Sequence, residues 1–476
     1  MKCLKDSRQF FNLYIALSIV INLFGCTNEE TVTSYRIEDT NIETARLFVK
    51  TALNDETGYY LLKELTDIGH RLSGSETSLK AVDWAYDKMQ ELGFENVTKQ
   101  SVMVPHWERG DIEKAEIVGS GSSNGRQLRI AALGGSVGTP SGGTTAGVVE
   151  VSNFDELREL GDKVRGKIVF YNRPLDKGLL NTFSGYGGAV DQRTQGAQQA
   201  SAMGGVGAIV RSVTTKYDNV PHTGTMGSYA AGSERVPAAA IGQIDADHLS
   251  RLLKEDPDLQ IRLELSAKIL PRTESFNVYG DIKGTVAPEE VIVVGGHFDC
   301  WDKGTGAHDD GGGCIQAMEV LDLFNRLGLK PKKTLRAVFF MDEEIAQSGA
   351  DKYAEFAAAS GEKHIAAIES DRGVLTPRGF TTEAGQGLIE KMQGWLPALQ
   401  QARIEWIRPG GSGVDVGRIA NVTAKFGFFP DDQRYFDYHH SENDVFSAVN
   451  PREMELGSAA MAILVYLISE YGFSDN

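Results

Sequence analysis

Val291, Ile292, Val293 and Val294 are four β-branched residues in a row. A run with no polar alternation forms a strand buried on both faces. Leu335–Met341 is a second such run and Ile365–Ile368 a third, shorter one. Apolar residues at helical spacing fall between them, over Gly313–Leu327 and Gly349–Ala359, and a last helix is expected from Met454 to Tyr471. Asn277–Ile282 supplies one more strand. Alternation of this kind builds an α/β fold: a mixed, largely parallel central sheet with helices on both faces.

Upstream, Glu43–Val49, Tyr59–Ile68 and Ser75–Leu92 carry helical spacing, with Gly93 placed as a C-cap, and Asn96–Val104 reads as a strand. From about Ser120 to Pro271 the character changes: Gly and Ser are dense and apolar runs are short. Val148–Val151, Lys167–Phe170 and Ala208–Val210 read as strands, and Gly196–Met203 and Ala246–Leu253 as short helices. Because α/β patterning resumes afterwards, this stretch is expected to be a small inserted domain. Gly166-Lys167-Ile168-Val169, a helix, then Gly204 to Val210 resembles the protease-associated domain. The expected organisation is thus a leader over 1–25, a linker over 26–41, a main domain in two parts (42–119 and 272–476), and the insertion over 120–271.

The leader rests on a basic start (Lys2, Lys5, Arg8), a mostly apolar stretch from Phe10 to Phe24, and Gly25-Cys26 before polar residues. The stretch is short for a membrane-spanning helix and fits a signal peptide. A small residue before Cys at its end resembles a bacterial lipoprotein signal, with Cys26 carrying the lipid. The expectation is export and a membrane anchor through Cys26, on the periplasmic or cell-surface side. Cys300 and Cys314 then remain, which is no disulfide framework; whether they pair is left open. A formal net charge of -17 and the lack of a dense Lys/Arg run exclude a nucleic-acid partner.

Ligands of open α/β sheets bind beyond the carboxyl ends of the strands. After Val294 come Gly295-Gly296-His297-Phe298-Asp299. After Met341 come Asp342-Glu343-Glu344, and after Ile368 come Glu369-Ser370-Asp371. Ala307-His308-Asp309-Asp310-Gly311 opens a helix between the first two, and Tyr438-His439-His440-Ser441-Glu442-Asn443-Asp444 lies near the end. Singly these are weak: His-x-Asp is ordinarily a capped surface histidine, Glu-Glu a solvated helix start, Asp-Asp-Gly a turn. Jointly they bring acids and histidines to one rim, which is costly unless a cation binds there. Mixed His and carboxylate donors suit Zn²⁺. The spacing of His297 and Asp299 places both side chains on one side of an extended segment, so the Asp299 carboxylate is expected to accept the second ring N–H of His297. Of Glu343 and Glu344, one is expected to coordinate metal and the other to take a proton.

The stretch from Gly295 to Asn450 resembles the co-catalytic zinc exopeptidases of the aminopeptidase and glutamate carboxypeptidase superfamily, and within it the carboxypeptidase Q group. The likeness covers nearly the whole mature chain. It includes Pro105-His106-Trp107-Glu108-Arg109-Gly110, Arg193-Thr194-Gln195-Gly196-Ala197, Pro221-His222-Thr223-Gly224 and Asp309 to Gly313. The first three motifs have no evident catalytic role. The resemblance implies two Zn²⁺ ions, with His297, Asp309, Glu344, Asp371 and His440 as ligands. Asp309 would bridge the ions, and its bond to Asp310 would be cis. Glu343 would be the general base, and His439 the neighbour that donates to an oxyanion. Met341-Asp342 departs from the group's usual, less acidic residues there. A homodimer and a small-peptide substrate, cleaved to release the C-terminal residue, are implied in the same way. An aminopeptidase on the same scaffold, a non-catalytic binding ectodomain and a single-zinc glutaminyl cyclase are the rival readings, the last disfavoured by the bridging Asp309 and the insertion. The loop Gly410-Gly411-Ser412-Gly413 is either a nest of N–H groups for a substrate carboxylate or a plain turn.

Overall fold

The structure, a computed structural model, describes residues 35–119 and 122–473. The expected leader and Cys26 lie outside these residues.

The β-branched run sits in the middle of an eight-stranded sheet. Its order is Glu95–Glu108, Lys268–Ile282, Lys333–Phe340, Ala287–His297, Lys363–Glu369, Ala424–Pro430, Pro377–Thr382, Trp406–Pro409. The four central strands, from Lys333–Phe340 to Ala424–Pro430, run parallel, with antiparallel neighbours on both sides. Alternation along Val291–Val294 feeds two cores. Ile292 and Val294 pack with the helices Asp39–Asp55, Thr57–Ile68, Glu76–Glu91, Gly312–Leu327 and Pro451–Tyr471. Val291 and Val293 pack with Tyr353 of the Ser348–Ala359 helix. The helix Pro451–Tyr471 is long and apolar enough to cross a membrane, but 83% of its apolar window is buried, as befits a core helix.

Register sets up the rim. His297 lies opposite Phe340, Gly295 opposite Glu369, and Glu369 opposite Gly427. The four parallel strands therefore release their following segments at one edge, where all the candidate residues lie.

A second eight-stranded sheet is drawn from Glu113–Val118 through Gln260–Leu265. Thr144–Val151, Ile168–Tyr171 and Gly207–Arg211 form parallel pairs at its centre. Glu113–Val118 pairs antiparallel with Gln260–Leu265, so this layer begins before position 120, and Lys268–Ile282 already belongs to the main sheet. Each sheet has its own apolar core, yet the described residues form one unit rather than two separate ones. The seam is apolar: Leu72, Trp107 and Trp301 join the core of Ile117 and Leu265, and Leu175 and Val213 pack with Tyr435 and Phe436. At Gly134 an added Cβ would lie 1.9 Å from the Trp301 ring, so only glycine lets the layers meet there.

Candidate metal centre

His297 closes the strand Ala287–His297 and is buried. Its Nε2 lies 3.0 Å from Asp309 Oδ1 and 3.5 Å from Asp371 Oδ1. Burial opposes a charge on this ring, but contact with Asp309 and Asp371 outweighs it and holds the ring's pKa well above the usual range. On the far side of Asp309, Oδ2 lies 3.4 Å from His440 Nε2 and 3.9 Å from His439 Nε2. Burial would raise Asp309, yet these histidines hold it below the ordinary carboxylate range. The Asp309–Asp310 peptide bond is cis.

Glu344 completes the second half. Its Oε2 lies 2.9 Å from His440 Nε2 and accepts a hydrogen bond of 2.6 Å from the Trp301 indole. His439 and His440 stack with ring centroids 3.5 Å apart. Of the two, His440 approaches both carboxylates more closely. Glu343 is half-buried, and its carboxylate accepts no hydrogen bond among the described residues. Burial first, and then Asp371 and Glu344, push its pKa well above the usual range, against the pull of His297.

Two donor groups emerge, His297–Asp309–Asp371 and Asp309–His439–His440, the ligand atoms of each lying within 4.8 Å of one another. They share Asp309. Asp309 Oδ2, Glu344 Oε1 and Asp371 Oδ1 are all buried and lack a hydrogen-bond partner. Buried, unpaired carboxylate oxygens are costly unless a cation satisfies them. Carboxylate and imidazole donors together fit a divalent ion of the zinc type.

Asp299 acts otherwise than its spacing suggests. His297 Nδ1 meets the Asp299 backbone carbonyl at 3.0 Å, while the carboxylate is 3.8 Å away, too far for a hydrogen bond. The strand ends at His297, so the alternation of an extended chain no longer applies at Asp299. Its carboxylate instead accepts the backbone N–H groups of Asp342 (2.8 Å), Glu343 (2.9 Å) and Glu344 (3.3 Å). It holds the turn that carries both glutamates. Asp342 points away from the centre, to Ser73 and Ser348.

Sequence reasoning missed several supports. Asp310 accepts the N–H of His297 and of Gly313, each at 3.1 Å. Asp444 accepts the N–H of His308 (2.7 Å) and Asp309 (3.1 Å). The sequence marks Asp310 by its bond to Asp309 and Asp444 by its place in the motif after His440, but neither mark shows which N–H groups these carboxylates accept. The loop after Gly410 is also clearer. Within Gly410–Gly413, the Ser412 N–H donates to Glu383 and the Gly410 N–H to the Thr382 carbonyl, while just beyond it Glu369 accepts the N–H groups of Val414, Asp415 and Val416. Cys300 and Cys314 are buried free thiols.

Residues 277–465 match peptidase family M28. The chain is 36% identical to carboxypeptidase Q of Mus musculus over 404 residues, covering 85% of this chain and 83% of the relative. Against carboxypeptidase Q of Homo sapiens it is 35% identical over 414 residues, covering 87% and 85%. The crystal structure of a peptidase M28 precursor from Shewanella amazonensis SB2B superposes with a TM-score of 0.85 at 33% identity, covering 90% of this chain and 97% of that one. A zinc aminopeptidase from Bacillus subtilis shares the fold, with a TM-score of 0.61 at 18% identity and coverage of 85% and 93%. With relatives this similar over most of their length, and with a metal-type donor set at the rim of its sheet, the chain belongs to peptidase family M28 and is a metallopeptidase.

Proposed function

We propose that the protein is a zinc-dependent exopeptidase with two ions, one on each side of Asp309, that hydrolyses dipeptides or short peptides and releases the C-terminal residue. The observation that carries the reading is the pair of donor groups sharing Asp309, with three buried carboxylate oxygens lacking partners. His297 and Asp371 would hold one ion, and Glu344 and His440 the other. The likeness to carboxypeptidase Q over 85% of the chain supports the choice of C-terminal release.

Bound zinc would lower the pKa of a water and polarise the scissile carbonyl. Glu343, whose carboxylate accepts no hydrogen bond among the described residues, takes the water's proton and delivers it to the leaving amine. Asp299 aims Glu343 by holding its backbone N–H. His439 donates to the developing oxyanion, an interaction worth about 2.7–4 kcal/mol in sites of this kind. The same reading makes the protein an exported homodimer held by lipid on Cys26, with the second sheet as a protease-associated domain. Mass spectrometry of the mature N-terminus and sedimentation of the purified protein test the first two points.

The experiment is hydrolysis of a panel of free and N-blocked dipeptides by wild type and Glu343→Ala, after chelation and restoration of zinc. The reading requires cleavage by wild type and its loss in a variant that still binds zinc. Cleavage that depends on a free N-terminus and proceeds from that end would make it an aminopeptidase. No cleavage by zinc-loaded wild type would leave a binding protein.

A further inference from the structure

Two motifs that the chemistry above leaves unused, Arg193–Ala197 and Pro221–Gly224, meet behind His440. Arg193 stands on the helix Asp191–Ala202 of the second layer and is buried. Its Nη1 lies 3.2 Å from His440 Nδ1 and 3.5 Å from the Thr223 carbonyl oxygen. The same oxygen is 3.3 Å from His440 Nδ1. Backbone contacts reinforce the junction. Thr223 N–H donates to the His440 carbonyl at 2.9 Å, and His222 Nδ1 meets the His439 carbonyl at 2.6 Å. The gap is tight: a Cβ on Gly224 (φ +131°) would lie 2.5 Å from Arg193 Nη1 and 2.6 Å from His440 Nδ1. His440 itself sits at φ +59°, a left-handed position that its surroundings must hold. Arg193 has no carboxylate partner among the described residues; its guanidinium lies over the Tyr186 ring, 5.6 Å from the centroid.

The two neighbours of Nδ1 make opposite demands. A guanidinium only donates, and a carbonyl only accepts. If Arg193 donates to Nδ1, the ring proton moves to Nε2, which then faces Asp309 and Glu344 as an N–H. If Nδ1–H donates to Thr223, the Nε2 lone pair faces those carboxylates and is free for a metal. With the ring in that tautomer, Arg193 donates to the same Thr223 carbonyl and to the Tyr186 hydroxyl instead. We propose that Arg193 and Thr223 are positioning residues of the metal centre, which fix the tautomer and plane of His440, so that the second layer is a working part of the zinc site. The proposal rests on the reading of His440 as a ligand. It also accounts for why two motifs without reactive groups toward substrate are tied to this position. Partners that orient a ligating histidine change metal affinity by roughly 10–100-fold when removed.

The test is zinc affinity and stoichiometry, measured by competition with a chromogenic chelator. The proteins are full-length wild type, Arg193→Met, Arg193→Gln, Arg193→Lys, Gly224→Ala and His440→Ala, with melting of each metal-free protein as a control for folding. The expected result is one zinc equivalent weakened about 10–100-fold in Arg193→Met, Arg193→Gln and Gly224→Ala. The second equivalent stays near wild type, and Arg193→Lys, which still donates to Thr223, recovers part of the loss. Should Arg193→Met not fold, Arg193→Gln and Gly224→Ala decide. If the folded variants bind both equivalents as wild type does while His440→Ala loses one, the positioning role is overturned and the ligand reading stands. If His440→Ala also keeps both, the ligand reading itself has failed.

Discussion

Asp299→Asn separates two accounts of one buried carboxylate. If Asp299 steadies the His297 ring, the variant should lose metal affinity and little else. The structure instead has it accept three backbone N–H groups, from Asp342, Glu343 and Glu344, in a site with no solvent exposure. Hydrogen bonds to a charged acceptor contribute about 1.5–3 kcal/mol each, against roughly 1 kcal/mol for neutral ones. An asparagine oxygen can still take the two shorter bonds, at about half their former strength. Its amide N–H would then face the third N–H, leaving a buried donor unpaired at a cost of about 1–3 kcal/mol. Together the loss is about 2.5–6 kcal/mol, a large share of the ~5–15 kcal/mol that holds a typical protein folded. Denaturant unfolding of the metal-free proteins measures it without interference from zinc. Because the released turn carries Glu343, kcat should fall with KM little changed. Metal-free stability within about 0.5 kcal/mol of wild type, the range of an inconsequential surface change, would refute the reasoning and return Asp299 to the histidine.

Two other predictions probe regions apart from or around the centre. Glu455 and Glu319 are fully buried side chains on the helices Pro451–Tyr471 and Gly312–Leu327, and burial, then the charge of Glu319, push the Glu455 carboxyl up to about 10. A folded pKa above the unfolded value of about 4.3 means that the stabilising contribution is full below that pH and is lost as pH rises toward 10. The stability of wild type relative to Glu455→Gln should therefore decline from pH 5 to 9, with a slope of up to about 1.4 kcal/mol per pH unit; parallel profiles in denaturant unfolding would contradict this. Separately, chelation should lower the melting temperature by several degrees and added zinc restore it, since zinc at 1,000 times its Kd stabilises by about 4.1 kcal/mol per site. Identical melting in chelator and in zinc would mean that the native state holds no zinc.

The rim was legible because the sequence marks its strands strongly. Val291–Val294 is apolar on both faces and Leu335–Met341 is so but for Arg336, so the residues that follow, His297 and Glu343-Glu344, had to emerge together. The strand Ala424–Pro430 was not anticipated. It carries Lys425 and Gly427 and no β-branched residue, yet it forms the fourth parallel strand by pairing along Lys363–Glu369. Trp406–Pro409 is a four-residue edge strand, too short to show a period. The limits at the site have the same origin. Direction is readable inside a strand and lost one residue beyond it, which is why Asp299 was placed on the wrong partner. The motifs that hold Arg193 and Thr223 are visible in the sequence but their place beside His440 is not, since it depends on a second layer folding over that residue.

Diffraction from crystals grown with zinc, recorded on both sides of the zinc absorption edge, tests the central claim directly. The account predicts two anomalous peaks, one against His297 and Asp371 and the other against Glu344 and His440, with Asp309 between them. A single peak, or one that leaves Asp309 with a free oxygen, would contradict it.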